Sequence, residues 1–364
     1  MTNYTNDERA LLALCSLKGL EYRHESKLCE LVSRPAKLFE RDSVVKQYLD
    51  KAIGEAKAKT VLMSLTTEYA DYCVNQLDKR GVKAITIYSP NYPTRLKMIS
   101  APPLVLYCKG NVELLDSTKS LGIVGSRKTL SYAESFAKDI AKTLSSVGVT
   151  IVTGSATGAD KSAIQGGLEN NKIISVIAGG LDHVYPDCNK AIIEEVVKKG
   201  LVISEYPPDT TPAFWMFPVR NRIIAGLSDC VLICSGDKQS GARHTAEFAL
   251  DYGKELYAFP YSVGIKSGEL CNELIKNGAY LCDSVEDLLN AFNVSNKQVE
   301  QSLETQLDED ELKLYSAIKD GLDDMNAYCL NNNVKFYEIA PILSELEIKG
   351  LIVKTAGNKF KPTK

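Results

Sequence analysis

Four short stretches of this chain put anion-gripping groups where an apolar run ends. In "LGIVGSRKTL" (121–130) the run stops at Gly125, and Ser126, Arg127 and Lys128 follow. Gly125 lets backbone approach a ligand closely, a helix start just beyond favours anions, and a guanidinium can hold a phosphate through two parallel hydrogen bonds. The spacing fits a phosphate site; it also fits a solvated loop whose arginine pairs with a surface carboxylate. "TGSATGADKSA" sets Gly154 and Gly158 ahead of Asp160 at a second helix entrance, where the carboxylate either caps the helix or meets a ligand. In "SEYPPDTTPAFWMFPVRNRIIAGLSD" four prolines, Phe214, Trp215 and Phe217 lead into Arg220, Asn221 and Arg222. Aromatic rings beside arginines suit unstacked bases with their phosphates. The alternative is that Trp215 and Phe217 pack in a core or a dimer interface, although burying both arginines would require partners for each. "SGDKQSGARHTAEFAL" places Ser240 and Gly241 at a further helix entrance with Thr245 one turn in, either to receive a phosphate oxygen or merely to begin a helix.

The fingerprints that are missing narrow the chemistry. No G-x-G-x-x-G and no G-x-x-x-x-G-K-[ST] occurs, so ordinary NAD binding and P-loop ATP hydrolysis both lack their signatures. Ten scattered cysteines form no C-x-x-C pair, and with three histidines no zinc spacing appears. Reduced thiols, no metal and no cofactor are expected.

The elements that must carry these loops show in the apolar periodicity. From 119 to 292, "LGIVG", "VTIVTG", "IISVIAG", "LVISEY", "DCVLICS" and "ELYAFP" are short Ile/Val-rich runs with helical patterns between them. Nearly continuous apolar runs are strands buried on both faces, so the segment predicts an α/β, Rossmann-like, doubly wound and mostly parallel sheet. Its first helix, "SYAESFAKDIAKTLSSVG", carries a capping-box pattern at Ser131 and Glu134. Residues 1–85 have helix spacing and predict an N-terminal helical domain; the proline-rich 86–118 predicts an extended connector ending in the strand "PLVLYC". Polar, acidic 293–308 predicts a linker merging into a helix start. Residues 309–364 predict helices, then a hairpin turning at Gly357 and Asn358, a winged-helix-like domain with Pro341 in the first turn of its last helix or kinking it.

With 364 residues and 45% hydrophobic content the chain can bury more than one core. A net charge of −3 argues against broad polyanion binding, so any nucleic-acid surface must be a local patch. No apolar run is long enough to span a bilayer and the first residues are polar and acidic, which predicts a soluble, cytoplasmic protein with no membrane partner.

Taken in order, "IVGSRK", "VTIVTGSATGAD", "IAGGLDHVYP", "SEYPP", "FPVRNRIIAGLSD" and "SGARHTAEFAL" resemble the DNA-processing protein A family, also called Smf, over about residues 84–290. The flanking helical and winged-helix-like domains are similar to those its members often carry. The resemblance implies a non-enzymatic role: binding and protecting incoming single-stranded DNA and loading the RecA recombinase during natural transformation, as a dimer through the Rossmann domain. The family's G-S-R falls on Gly125, Ser126 and Arg127, its glycine loop on Gly154, Gly158 and Asp160, its R-N-R on Arg220, Asn221 and Arg222, and its S-G on Ser240 and Gly241. Three positions depart: Ile164 stands where the family has histidine, Tyr261 follows Pro260 in place of glycine, and "LCN" at 270–272 replaces G-T-N, beginning with Leu270.

Two rivals remain at this level. "SGARHTAE" is similar to the second half of the motif of lysine-decarboxylase-like nucleotide phosphoribohydrolases, which would make Glu247 the carboxylate that cleaves a nucleoside monophosphate. Alternatively the Rossmann pocket senses a nucleotide while the winged helix binds DNA through Lys335, Lys349, Lys354, Lys359 and Lys361, opposed by Glu338, Glu345 and Glu347.

Overall fold

The computed structural model describes every residue except 1–3, 18–19, 41, 306, 356–358 and 364. It divides into two compact units, residues 1–293 and 294–364. The first unit begins with five helices, α1 (Asn6–Cys15), α2 (Tyr22–Leu31), α3 (Ser43–Ile53), α4 (Glu55–Ser64) and α5 (Thr67–Lys79). Thr5 and Glu8 close a reciprocal capping box at the start of α1, and leucines such as Leu14, Leu28, Leu38 and Leu49 gather into a core of their own.

The rest of the first unit is a nine-stranded sheet with helices on its faces. Chain order runs β1 (Lys83–Thr86), α6 (Thr94–Lys97), β2 (Val105–Gly110), β3 (Ser120–Val124), α7 (Ser131–Ser146), β4 (Thr150–Thr153), α8 (Ala159–Glu169) and β5 (Ile173–Val176). It continues through α9 (Lys190–Lys199), β6 (Leu201–Ser204), α10 (Met216–Leu227), β7 (Cys230–Ile233), α11 (Ala242–Asp251), β8 (Glu255–Ala258), α12 (Glu269–Lys276), β9 (Tyr280–Leu281) and α13 (Val285–Ala291). Spatial order is β1-β2-β6-β5-β4-β3-β7-β8-β9. From β6 to β9 all neighbours are parallel, whereas β1 and β2 are antiparallel additions at one edge. All residues of β3 to β7 are buried, which is why those strands are continuous apolar runs in the sequence.

This order has a consequence for ligands. After β3 the chain moves outward one way through β4, β5 and β6, then returns to β7 on the other side of β3. The reversal leaves a crevice beyond the carboxyl ends of β3 and β7, where open α/β sheets bind their ligands.

Several local expectations are corrected. Residues 83–86 are strand β1, the edge partner of β2. The 86–118 segment is not wholly extended: it adds helix α6 ahead of the expected strand, which is β2. The Ser131–Glu134 capping box is absent: Leu130 occupies the N-cap and Ser131 is already helical.

The second unit holds α14 (Asn296–Glu304), in a stretch expected to be largely linker, then α15 (Glu309–Lys319), α16 (Met325–Asn332) and α17 (Phe336–Ile348). Strands β10 (Ile352–Lys354) and β11 (Phe360–Pro362) pair antiparallel. Asp308 and Glu311 cap α15, and Leu314, Ile318, Leu343, Leu346 and Phe360 form the core. Pro341 sits inside α17, past its first turn. The turn expected at Gly357 and Asn358 lies outside the described residues. Among the described residues no helix is long and apolar enough to cross a membrane.

Candidate nucleic-acid interface

The crevice between β3 and β7 is a cleft of about 940 Å³. Its near wall is the loop after β3. The Ser126 N–H donates to the Ser235 carbonyl (3.1 Å) and to Ser235 Oγ (2.9 Å), which ties the loop to the end of β7. Thr129 Oγ1 donates to the Ser126 carbonyl (2.7 Å), and the Lys128 N–H donates to Ser126 Oγ (3.2 Å). Held in this way, Gly125 and Ser126 line the cleft, and Arg127 and Lys128 project from it into solvent.

Arg127 is not spent on a surface carboxylate: no ion pair ties it down among the described residues. Its guanidinium instead lies 5.5 Å from the Phe217 ring centroid and 5.9 Å from that of Tyr185, and those two rings meet edge to face at 5.6 Å. Two aromatic rings orient the cation while leaving its five N–H donors available, the arrangement that a bidentate phosphate contact requires.

The floor is built from β4, α8 and α10. Gly158 has φ +74° and forms the N-cap of α8, so Asp160 is not the capping residue that the sequence allowed. Its carboxylate is buried and accepts from the Ala156 N–H (3.2 Å). Burial raises the Asp160 pKa, opposed by the neighbouring Arg220 guanidinium and by the N–H groups of Ala156 and Gly125. Arg220 is itself buried; it donates to the Val176 carbonyl and, through Nε, to Asn221 Oδ1 (3.1 Å). Asn221 Nδ2 in turn reaches the Gly241 carbonyl at 3.2 Å. Gly154 lies against this group without lining the cleft: a Cβ there would stand 2.8 Å from Arg220 Nη1 and collide with Asp160.

The far wall is the entrance of α11, where Ser240 Oγ accepts from the Ala242 N–H (3.3 Å) and Gly241 is the N-cap. Thr245, fully buried in the cleft lining, has a hydroxyl with no hydrogen-bond partner among the described residues. Residues 264–267 also line the cleft, bringing Ile265 and Lys266 to it. Ile265 and Lys266 stand in no motif that the sequence singles out.

Most of the expected site residues therefore converge, with Gly154 and Gly158 shaping the floor from behind, and Arg222 does not. It is buried in a two-bond ion pair with Glu205 (3.0 and 2.6 Å), under the ring of Tyr22 at 5.6 Å. Residues two apart on a helix do not share a face, so α10 cannot turn both Arg220 and Arg222 into one cleft. Trp215 is likewise not a core residue, being largely exposed, whereas Phe217 is part of the site. The three departures are packing positions. Ile164 and Leu270 are fully buried, and buried Tyr261 donates its O–H to the Cys234 carbonyl (2.7 Å). Glu247 lies exposed, 3.4 Å from His244 Nδ1, and does not line the cleft, so the phosphoribohydrolase reading loses its carboxylate.

Residues 83–293, which run from β1 to just past α13, match the DNA recombination-mediator protein A family. The chain belongs to this family. Among the family's curated members, the DNA processing protein DprA of Bacillus subtilis is 37% identical over 221 residues, covering 60% of this chain and 74% of that protein. Protein Smf of Escherichia coli is 30% identical over 285 residues, or 78% of this chain and 74% of its own. The crystal structure of Streptococcus pneumoniae DNA processing protein A superposes with a TM-score of 0.66 at 29% identity, over 79% of this chain and 98% of that one. Helicobacter pylori DNA processing protein A, in a structure concerned with its single-stranded DNA binding mode, matches at TM-score 0.54 and 31% identity over 58% of this chain and 95% of its own. The family match takes in the whole switch-point sheet of this chain; the C-terminal unit lies outside it.

Proposed function

We propose that this protein binds single-stranded DNA in the switch-point cleft, protects incoming strands and loads RecA recombinase on them during transformation, acting in the cytoplasm as a homodimer without a cofactor. The observation that carries the reading is Arg127: an exposed guanidinium oriented by Phe217 and Tyr185 and unpaired with any carboxylate among the described residues, at the mouth of a cleft rimmed by Lys128 and Lys266. An unpaired cation on a rigid loop supplies phosphate affinity, and rings beside it supply sequence-tolerant stacking. The role is binding and handing over a strand rather than catalysis: the carboxylate nearest the cleft floor, Asp160, is engaged with the Ala156 N–H and faces Arg220.

The second unit is read as a winged-helix-like module, with a charge pattern that does not favour duplex DNA. Residues 294–364 contain nine lysines, no arginine and twelve carboxylates, and α17 turns Glu338, Glu345 and Glu347 to solvent. The test is competition. A labelled dT oligonucleotide bound to the protein is challenged with unlabelled dT and with duplex of equal length, and the protein is then assayed for assembly of RecA filaments on strands coated with single-strand-binding protein. Displacement by dT but not by duplex, with faster filament assembly, supports the reading; equal displacement by duplex would refute the single-strand preference, and unchanged assembly would remove the loading role.

A further inference from the structure

The residues just before α10 are unusual in what they expose. Phe214 is 85% exposed and Trp215 60%, although neither has a charge or a hydrogen-bonding cluster to justify leaving it in water. Trp215 is nonetheless held: its ring stands edge-on to Tyr206 with centroids 6.1 Å apart. Exposed large aromatics grouped in this way mark an interaction site.

Their position says which one. Phe217, three residues on, lines the Arg127 cleft, while Pro212, two residues back, lines a second hollow of about 720 Å³ on the β2–β6 side of the sheet. Tyr185 lines that second hollow and also stacks edge to face on Phe217, so its ring and the 212–217 segment form one ridge between the two depressions. The second hollow is mixed in charge: Lys109, Lys190 and Lys198 line it together with Asp182, Asp187 and Glu194, with Lys109 3.8 Å from Asp182 and Lys198 paired with Glu195. A cationic cleft continued by an aromatic ridge matches a single strand whose phosphates meet Arg127, Lys128 and Lys266 and whose unstacked bases lie on the rings. A second copy of this chain or another protein would cover the rings but would not account for their continuity with the Phe217 and Tyr185 rings that orient Arg127.

We propose that Phe214 and Trp215 are a base-stacking platform that carries a single strand from the Arg127 cleft onto the Tyr185 ridge. The inference rests on the reading of the cleft as a single-stranded DNA site. It assigns the platform a share of affinity that is independent of salt, because stacking neutralises no phosphate.

Trp215 is the only tryptophan in the chain, so its emission, excited where the 18 tyrosines do not absorb, reports on the platform alone. Full-length protein is titrated with end-labelled dT of about 5 and about 20 nucleotides, lengths that bracket a single binding track, while label anisotropy and Trp215 emission are followed together. The platform predicts emission quenched by the long strand. It also predicts that Phe214→Ala and Trp215→Ala each weaken long-strand binding by about 5- to 100-fold with an unchanged salt slope, that the short strand is unaffected, and that Trp215→Phe retains affinity. Long-strand anisotropy with constant emission and unaltered variants would overturn the platform and leave the cleft reading standing. Absence of binding by either strand would overturn both. Emission that shifts on diluting the protein alone, with no further change on adding dT, would assign the rings to contact between copies and overturn the platform.

Discussion

Gly154, Asp160 and Arg220 show how closely the floor of the cleft is fitted. Because a Cβ at Gly154 would press on both the Asp160 carboxylate and the Arg220 guanidinium, Gly154→Ala should lower stability by about 1–3 kcal/mol, measured by urea denaturation, and weaken DNA binding as the floor shifts. Arg222 makes the opposite case. It is buried against Glu205, and Arg222→Ala leaves that carboxylate buried without its partner, which should cost about 3–5 kcal/mol of stability while leaving the salt slope of DNA binding unchanged. The sequence brought Arg127 and Arg222 forward as equals, since both are arginines in motifs after a strand. Their difference comes from what faces them: for Arg127, rings, solvent and the field of Asp160 without an ion pair among the described residues, and for Arg222 a carboxylate 17 residues upstream in direct contact. That pairing is tertiary and leaves no local trace.

At the scale of elements, legibility followed burial. Strands β2 to β8 were readable because apolar runs mark strands enclosed on both faces. Strand β1 has four residues on the edge and β9 has two, both exposed, so neither left enough periodicity to stand out. The helix entrances were visible as Gly and Ser clusters, but the 264–267 segment was not, because its place at the cleft depends on α12 packing under β8. From that placement Lys266 should act as a further phosphate contact: Lys266→Ala should reduce the salt dependence of dT binding by about 0.7 in logarithmic slope, the value for one contact on a single strand. A slope equal to wild type would remove Lys266 from the interface.

At the scale of the whole molecule, the first unit carries a built-in pH dependence where α2 meets the sheet. Glu25 is half-buried, and burial, reinforced by the charge of Glu205, pushes its pKa from 4.5 to about 8. A carboxyl whose folded pKa is raised binds more protons folded than unfolded, so it lowers stability as pH rises from about 4.5 to about 8 and has no effect below that window. Glu25→Gln should therefore raise the melting temperature at pH 8 and leave it nearly unchanged at pH 4; equal shifts at both would show that the carboxyl ionises normally in the fold. The sequence predicts a separate N-terminal helical domain, whereas those helices and the sheet form one compact unit, a grouping that depends on contacts such as Arg222 with Tyr22.

The central claim is that Arg127, and not the whole R-N-R motif, holds the strand at the switch point. It is tested most directly by anisotropy titrations of a labelled dT oligonucleotide over a salt series, using wild type, Arg127→Ala, and the paired Arg222→Met with Glu205→Met, in which apolar side chains replace the buried ion pair without leaving either charge alone. The structure predicts that Arg127→Ala weakens binding and flattens the slope by about one contact, while the paired variant binds as wild type does. Wild-type affinity and slope in Arg127→Ala, or loss of a contact in the paired variant alone, would contradict it.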